Sequence, residues 1–323
     1  MAVPPGKQLR RAVRSALVRG AVRLASLLPL GAALALGALL GRLAWAVAGR
    51  TRRLALSHLA LALPELPEEA RRAVARASFL HLARAAMEAV AARHIDPMLE
   101  RYVTFAGDGE RMLQEARAAG KGVVVVTGHL GNWELFARRI GRAVGPAVTI
   151  ARPSWDSRID EMVAAFRQQA GVTTIWRRED KASGRAILKA FRQGMVFGIL
   201  IDQDTGVEGV FVPFFGRLAW TPRGAADLAL RFGVPVFVAW TRRRGPGWKD
   251  GYILEVEKVA YDPDPPDREA EVASVTARCT ARLEAAIRRS PAEWVWMHER
   301  WKRRPPGEGD ASSVPKSREL SAH

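Results

Sequence analysis

Between Leu24 and Gly41 lie 18 residues without a charge, at the short end of what can cross a bilayer core. Pro29, Gly31, Gly37 and Gly41 interrupt the run, and Arg42 closes it. Arg residues stand on both sides, so charge asymmetry assigns no orientation. Ala46-Val47-Ala48 has the small-x-small form of a signal cleavage site, but the 23-residue basic lead is long for a signal peptide. The pattern predicts an uncleaved anchor or a helix lying in the membrane interface. Residues 65–102 then take helical spacing: Pro67-Glu68-Glu69 opens the stretch, and Ala73, Ala77, Leu80 and Met87 carry the apolar stripe. This region predicts helices that connect or pack near the membrane and hold no chemistry.

From Gly122 the period changes. Val123–Val126, Ala147–Ile150, Val172–Ile175, Val196–Ile201, Val234–Trp240 and Ile253–Val256 predict strands separated by helical stretches. Residues on both alternating faces are apolar, which predicts an α/β core whose sheet is covered by helices on its two faces; the sheet is expected to be central and mixed. The chain thus divides into a basic, apolar N-terminal membrane region (1–64), a helical lead-in with the α/β domain (65–304), and a disordered Pro- and Ser-rich tail (305–323).

Charge sharpens this division. The net charge is +17, yet the first acid is Glu65; ten Lys or Arg and no acid precede it, so residues 1–64 carry +10 and the remainder +7. The basic residues flank an apolar run and do not alternate with stacking aromatics, which favours anionic head groups over nucleic acid. A biased base composition is the bland alternative, since 42 of the 50 basic residues are Arg. One cysteine, Cys279, removes any disulfide framework or thiolate cluster.

Three stretches could carry chemistry. Thr127-Gly128-His129-Leu130-Gly131-Asn132-Trp133-Glu134 follows the first of these strands. Five residues apart, His129 and Glu134 would sit about 140° around a continuous helix, so their meeting requires a strand-to-helix corner. Gly128 and Gly131 permit one, and Asn132 is a good N-cap for a helix from Trp133 to near Ile140. At such a corner Glu134 could accept an imidazole N–H and leave the other nitrogen basic; the bland reading is a His and a Glu stabilising a helix start. The second stretch, Ile201-Asp202-Gln203-Asp204, ends another strand, and its acids could bind a metal, orient Arg side chains or substrate hydroxyls, or simply make a turn. The third runs from Phe211 to Pro222: Thr221 and Pro222 read as N-cap and first residue of a helix ending near Gly233, whose start could receive an anion. Phe214 and Phe215 could line an acyl groove or plug the core. Trp294, Trp296, His298, Arg300 and Trp301 read as an interfacial belt or a packed terminal helix.

In combination and order, Gly128-His129-Leu130-Gly131-Asn132-Trp133-Glu134, Arg152-Pro153, Asp202-Gln203-Asp204, Val212-Pro213-Phe214-Phe215-Gly216 with Ala219 and Thr221, and Pro291 to Trp301 resemble the lipid A biosynthesis lauroyl/myristoyl acyltransferase family. The resemblance spans about residues 20 to 304 and implies a glycerolipid-acyltransferase-like fold at the inner membrane, facing the cytoplasm. It also implies transfer of a fatty acyl chain from acyl carrier protein to a hydroxyl of a lipid A precursor. By that analogy His129 is the general base and Glu134 holds its imidazole. Asn132, Arg152, Asp202, Gln203, Asp204, Arg217 and Thr221 are expected to bind substrate. So are Arg177 or Arg178, standing in for an Arg that the family commonly places near the strand where this chain has Thr173 and Thr174. No metal and no cofactor beyond the acyl donor, acyl carrier protein or acyl-CoA, is implied. Other readings are an acyltransferase acting on a phosphatidylinositol mannoside or a glycerophospholipid, a metal-dependent hydrolase built on His129, Glu134, Asp202 and Asp204, and a basic membrane adaptor without activity.

Overall fold

The computed structural model describes residues 5–177, 181–305 and 307; Arg178 and all but two residues of the 305–323 tail lie outside them. Three helices come first: α1 (Pro5–Ser26), α2 (Leu30–Val47) and α3 (Gly49–Ala62), followed by the long α4 (Glu68–Val90) and the single turns α5 (Ala92–Ile95) and α6 (Leu99–Tyr102). In α2 the buried residues Leu30, Ala33, Leu34, Gly37, Ala38 and Gly41 form one stripe at helical spacing. That stripe lies on α4, and the missing side chains make the approach possible: a Cβ at Gly41 would stand 2.8 Å from Leu80 Cα, and one at Gly37 3.0 Å from Ala83 O. Leu39, Leu40, Leu43 and Val47 remain exposed.

The α/β core continues with β1 (Val103–Phe105), α7 (Gly109–Ala118), β2 (Val123–Thr127), α8 (Trp133–Ala143), β3 (Ala147–Ala151), α9 (Ser157–Gln168), β4 (Val172–Trp176), α10 (Lys181–Arg192) and β5 (Val196–Leu200). A hairpin, β6 (Gly209–Phe214) and β7 (Arg217–Pro222), precedes α11 (Gly224–Phe232), β8 (Val236–Arg243), β9 (Tyr252–Val259) and α12 (Arg268–Arg289). Seven strands form one sheet in the order β1-β9-β8-β2-β5-β3-β4. The run from β8 to β4 is parallel, whereas β9 lies antiparallel to β8 and parallel to β1. The expected central mixed sheet with helices on both faces is what forms. Val123 and Val125 pack with Leu135, Phe136 and Ile140 on one face, while Val124 and Val126 join Phe191, Leu230, Val275 and Leu283 on the other. All six predicted strands form.

Two expectations fail, one after β5 and one after α12. The stretch containing Phe211 to Pro222 is the β6–β7 hairpin, and α11 starts at Gly224 with Arg223 as its N-cap. Thr221 is therefore a strand residue with no exposure, its Oγ1 receiving Arg300 Nη2 at 2.6 Å. Alternating aromatic and small residues (Phe211, Trp220, Ala219) make a two-stranded ribbon there, with Phe211 directly opposite Trp220. Residues 291–301 are neither belt nor helix: after a short 3₁₀ turn the chain runs irregularly, burying Trp294, Trp296 and Trp301. Phe214 and Phe215 are core residues among those tryptophans.

Candidate active site

Strands β2 and β5 are neighbours in register, with Thr127 opposite Leu200. Two residues beyond this pair stand His129 and Asp202, so the ladder itself delivers both side chains to one point at the carboxyl edge of the sheet, where open α/β sheets place their ligands. Gly128 permits the approach, since a Cβ there would fall 2.9 Å from Asp202 Oδ2. His129 donates twice to the carboxylate: from its backbone N–H to Oδ2 at 2.6 Å, and from Nδ1 to Oδ1 at 2.8 Å. The indole N–H of Trp294 donates to Oδ2 at 2.8 Å. Burial alone would raise the Asp202 pKa, but the adjacent imidazole and these hydrogen bonds override it and hold the group at about 2. An ionised partner at Nδ1 fixes the tautomer in which Nε2 carries a lone pair. The His129 side chain is 23% exposed and packs edge-on against Trp133, with centroids 5.0 Å apart.

Glu134 does not hold this imidazole. The corner forms as predicted, with Asn132 Oδ1 capping α8 through Leu135 N–H at 3.1 Å, but the first turn directs Glu134 to α9. There Arg167 grips it with both arms, Nε to Oε2 at 3.0 Å and Nη2 to Oε1 at 2.6 Å. Among the described residues no hydrogen bond joins Glu134 to His129. Arg167 also reaches Thr174 Oγ1 at 3.5 Å, so a guanidinium from the preceding helix lies against β4. Glu134, Arg167, Trp133 and Thr127 share a narrow cleft with Val125, Phe136, Ile140, Val148, Val172 and Leu200, between α8 and the sheet. Gly198 leaves room in its floor.

The other expected substrate residues separate into two groups. Arg152, exposed, and Arg177, half-buried, follow the paired ends of β3 and β4 (Ala151 opposite Trp176) and occupy the same edge as His129; Gln203 is half-buried beside Asp202. In contrast, Asn132 and Thr221 are sealed off at 2% and 0% exposure, and Asp204 is occupied by Arg303, whose backbone N–H donates to it at 2.8 Å. Arg217 is exposed at the turn end of the hairpin. The site roles of Trp294, read only as part of a belt or terminal helix, and of Arg167 escaped the sequence reading because nothing local marks a residue 92 or 33 positions away as a partner.

A family model for bacterial lipid A biosynthesis acyltransferases matches residues 4–303. The chain belongs to this family. It is an acyltransferase. Among lipid A acyltransferases, it is 28% identical to the lipid A biosynthesis lauroyltransferase of Escherichia coli K12 over 275 residues, 84% of this chain and 86% of the relative. The palmitoleoyltransferase of the same organism is 26% identical over 278 residues, again 84% and 86% of the two chains. A phosphatidylinositol mannoside acyltransferase of Mycolicibacterium smegmatis is 23% identical over 190 residues, 58% of this chain and 60% of the relative. Cys279 is no alternative nucleophile for this acyltransferase: it is buried in α12, and burial pushes its thiol up to about 12.

Proposed function

We propose that the protein transfers a fatty acyl chain from acyl carrier protein to a hydroxyl of a lipid A precursor at the cytoplasmic face of the inner membrane. The observation that carries this reading is the His129–Asp202 pair, with no hydrogen bond to Nε2 among the described residues, beside an apolar cleft in a chain of this family. Nε2 takes the proton of the acceptor hydroxyl as its oxygen attacks the thioester carbonyl, and Asp202 stabilises the imidazolium that forms. Collapse of the tetrahedral intermediate breaks the C–S bond, and the imidazolium returns the proton to the departing thiolate. No acyl-enzyme is required. The cleft accepts the hydrocarbon chain, and Glu134 fixes Arg167 at its rim, where a guanidinium can meet the thioester oxygen or an acceptor phosphate. Arg152 and Arg177 add positive charge for a phosphorylated acceptor.

Membrane attachment rests on the first two helices. Leu30–Val47 is apolar and long enough to cross a bilayer, but its Gly37–Gly41 face is occupied by α4, which carries Arg71, Arg72, Arg76 and Arg84. This favours a helix half-sunk in the interface, with Leu39, Leu40, Leu43 and Val47 toward the acyl chains, joined by Val13, Leu17 and Leu24 of α1. Sedimentation with phosphatidylglycerol vesicles is expected to fall as salt rises. A Leu39→Ser, Leu40→Ser, Leu43→Ser variant should lose binding about tenfold or more at low salt, with an unchanged melting temperature because those side chains touch solvent.

Mass spectrometry of membrane lipids from cells with and without the gene tests the function. Loss of one acyl chain from lipid A supports the reading. Loss from another glycolipid instead assigns that acceptor, and an unchanged lipid profile counts against acyl transfer.

A further inference from the structure

The corner that carries His129 and Glu134 is clamped from behind by groups the reaction does not use. Glu88, on α4, is fully buried and receives four donors. Tyr102 Oη and Arg243 Nη2 donate to Oε1 at 2.9 and 3.1 Å; Tyr252 Oη and Asn132 Nδ2 donate to Oε2 at 2.5 and 2.9 Å. Asn132 is thereby held at both ends of its amide, since its Oδ1 caps α8 and Nδ2 also donates to Ala85 O at 3.1 Å. The next residue back is fixed by the same helix: His81 Nε2 donates to Gly131 O at 2.9 Å, which leaves Nδ1 to accept from Arg243 Nε at 3.4 Å. Gly131 itself admits no side chain, because at φ +63° a Cβ would lie 2.1 Å from Thr241 O. From the far side Gly131 N–H donates to Glu293 O at 3.1 Å, and both Glu293 carboxylate oxygens receive the Arg243 backbone N–H.

Glu88, Ala85, His81 and Glu293 end on Gly131 and Asn132, between His129 and the first turn of α8, while Tyr102, Tyr252 and Arg243 hold Glu88, His81 and Glu293 in place. None reaches the cleft. A lone carboxylate buried in a protein is costly unless paired and fully hydrogen-bonded, and here all four partners are donors, one of them the N-cap of α8.

We propose that Glu88, acting through Asn132 and supported by Arg243, is a positioning residue for acyl transfer. It sets where α8 begins, and hence how Glu134 and Arg167 stand relative to His129. The proposal rests on the acyltransferase reading of the His129 site and deepens it.

The test exchanges donor and acceptor across the Glu88–Asn132 contact. Glu88→Gln places an amide NH₂ among donors, and Asn132→Asp sets two carboxylates against each other while keeping an N-cap. The double variant restores one hydrogen bond with its polarity reversed and the same total charge. With purified protein, lauroyl-acyl carrier protein as donor and a lipid A precursor as acceptor, each single variant should lose at least about tenfold in kcat with both KM values nearly unchanged. The double should recover most of that loss. A Glu88→Gln variant as fast as the parent, or a double no faster than the slower single, overturns the proposal. Where the singles do not fold, Tyr252→Phe removes one donor and leaves the carboxylate; a kcat fall of about threefold is expected, and an unchanged kcat overturns the proposal. His129→Ala is assayed alongside. If it retains full activity, the reading of the site itself fails; if it is inactive while Glu88→Gln is not, the positioning proposal alone fails.

Discussion

Asp202→Asn should lower kcat by roughly 10³- to 10⁴-fold and leave the KM for the acyl donor nearly unchanged. The carboxylate accepts three donors, from His129 N–H, His129 Nδ1 and Trp294 Nε1. An amide has one acceptor oxygen, so its NH₂ must face one of those donors. The least costly escape is for the imidazole to move its proton to Nε2 and accept at Nδ1, which removes the lone pair that takes the acceptor's proton. Steady-state kinetics on the variant measure the effect. Activity within about tenfold of the parent would show that the imidazole does not depend on Asp202 for its tautomer.

His129→Ala should lower the rate of transfer at least about a hundredfold, with added imidazole restoring part of it. Truncation opens the space between Asp202 and Trp133, where a free imidazole could rest against the indole and donate to the carboxylate. Binding should survive, because the cleft is built from α8 and the sheet and includes no atom of His129. Loss of KM for the donor without loss of kcat would place the imidazole in substrate binding and remove it from the proton transfer.

Much of the frame could be read from the residues. Short apolar strands at the correct positions, helices between them and the Asn132 cap at a strand-to-helix corner all follow from local pattern, because each is decided by side chains a few positions apart. The pairing within the site could not be read in this way. His129 was matched to the nearest acid in sequence, Glu134, yet β5 lies beside β2, and the register Thr127 opposite Leu200 brings Asp202 to the imidazole instead. Strand order is a long-range property that periodicity does not encode. Thr221 illustrates a local failure: Thr-Pro resembles a helix start, but the hairpin's cross-strand partners and the buried Arg300 hold it in a strand. The helical lead-in looked inert because its alanine-rich stripe hid one meaningful position, Glu88, an acid set among Met87, Ala89 and Val90 that proves to be fully buried.

The electrostatics of the corner follow from the same arrangement. Burial, followed by the Arg243 charge, lowers His81 to about 4, so it remains the neutral donor to Gly131 at physiological pH. Burial pushes Glu293 up to about 7 despite the neighbouring Arg243. Asp202, at about 2, stays ionised throughout the range in which the enzyme would work.

The pH dependence of kcat/KM for acyl transfer, measured on the parent and on His129→Gln, therefore tests the central claim most directly. An acid-side limb in the parent that disappears in the variant, leaving a low and flat residual rate, is the expected result. A limb that persists after the imidazole has been removed would show that another group takes the proton from the acceptor.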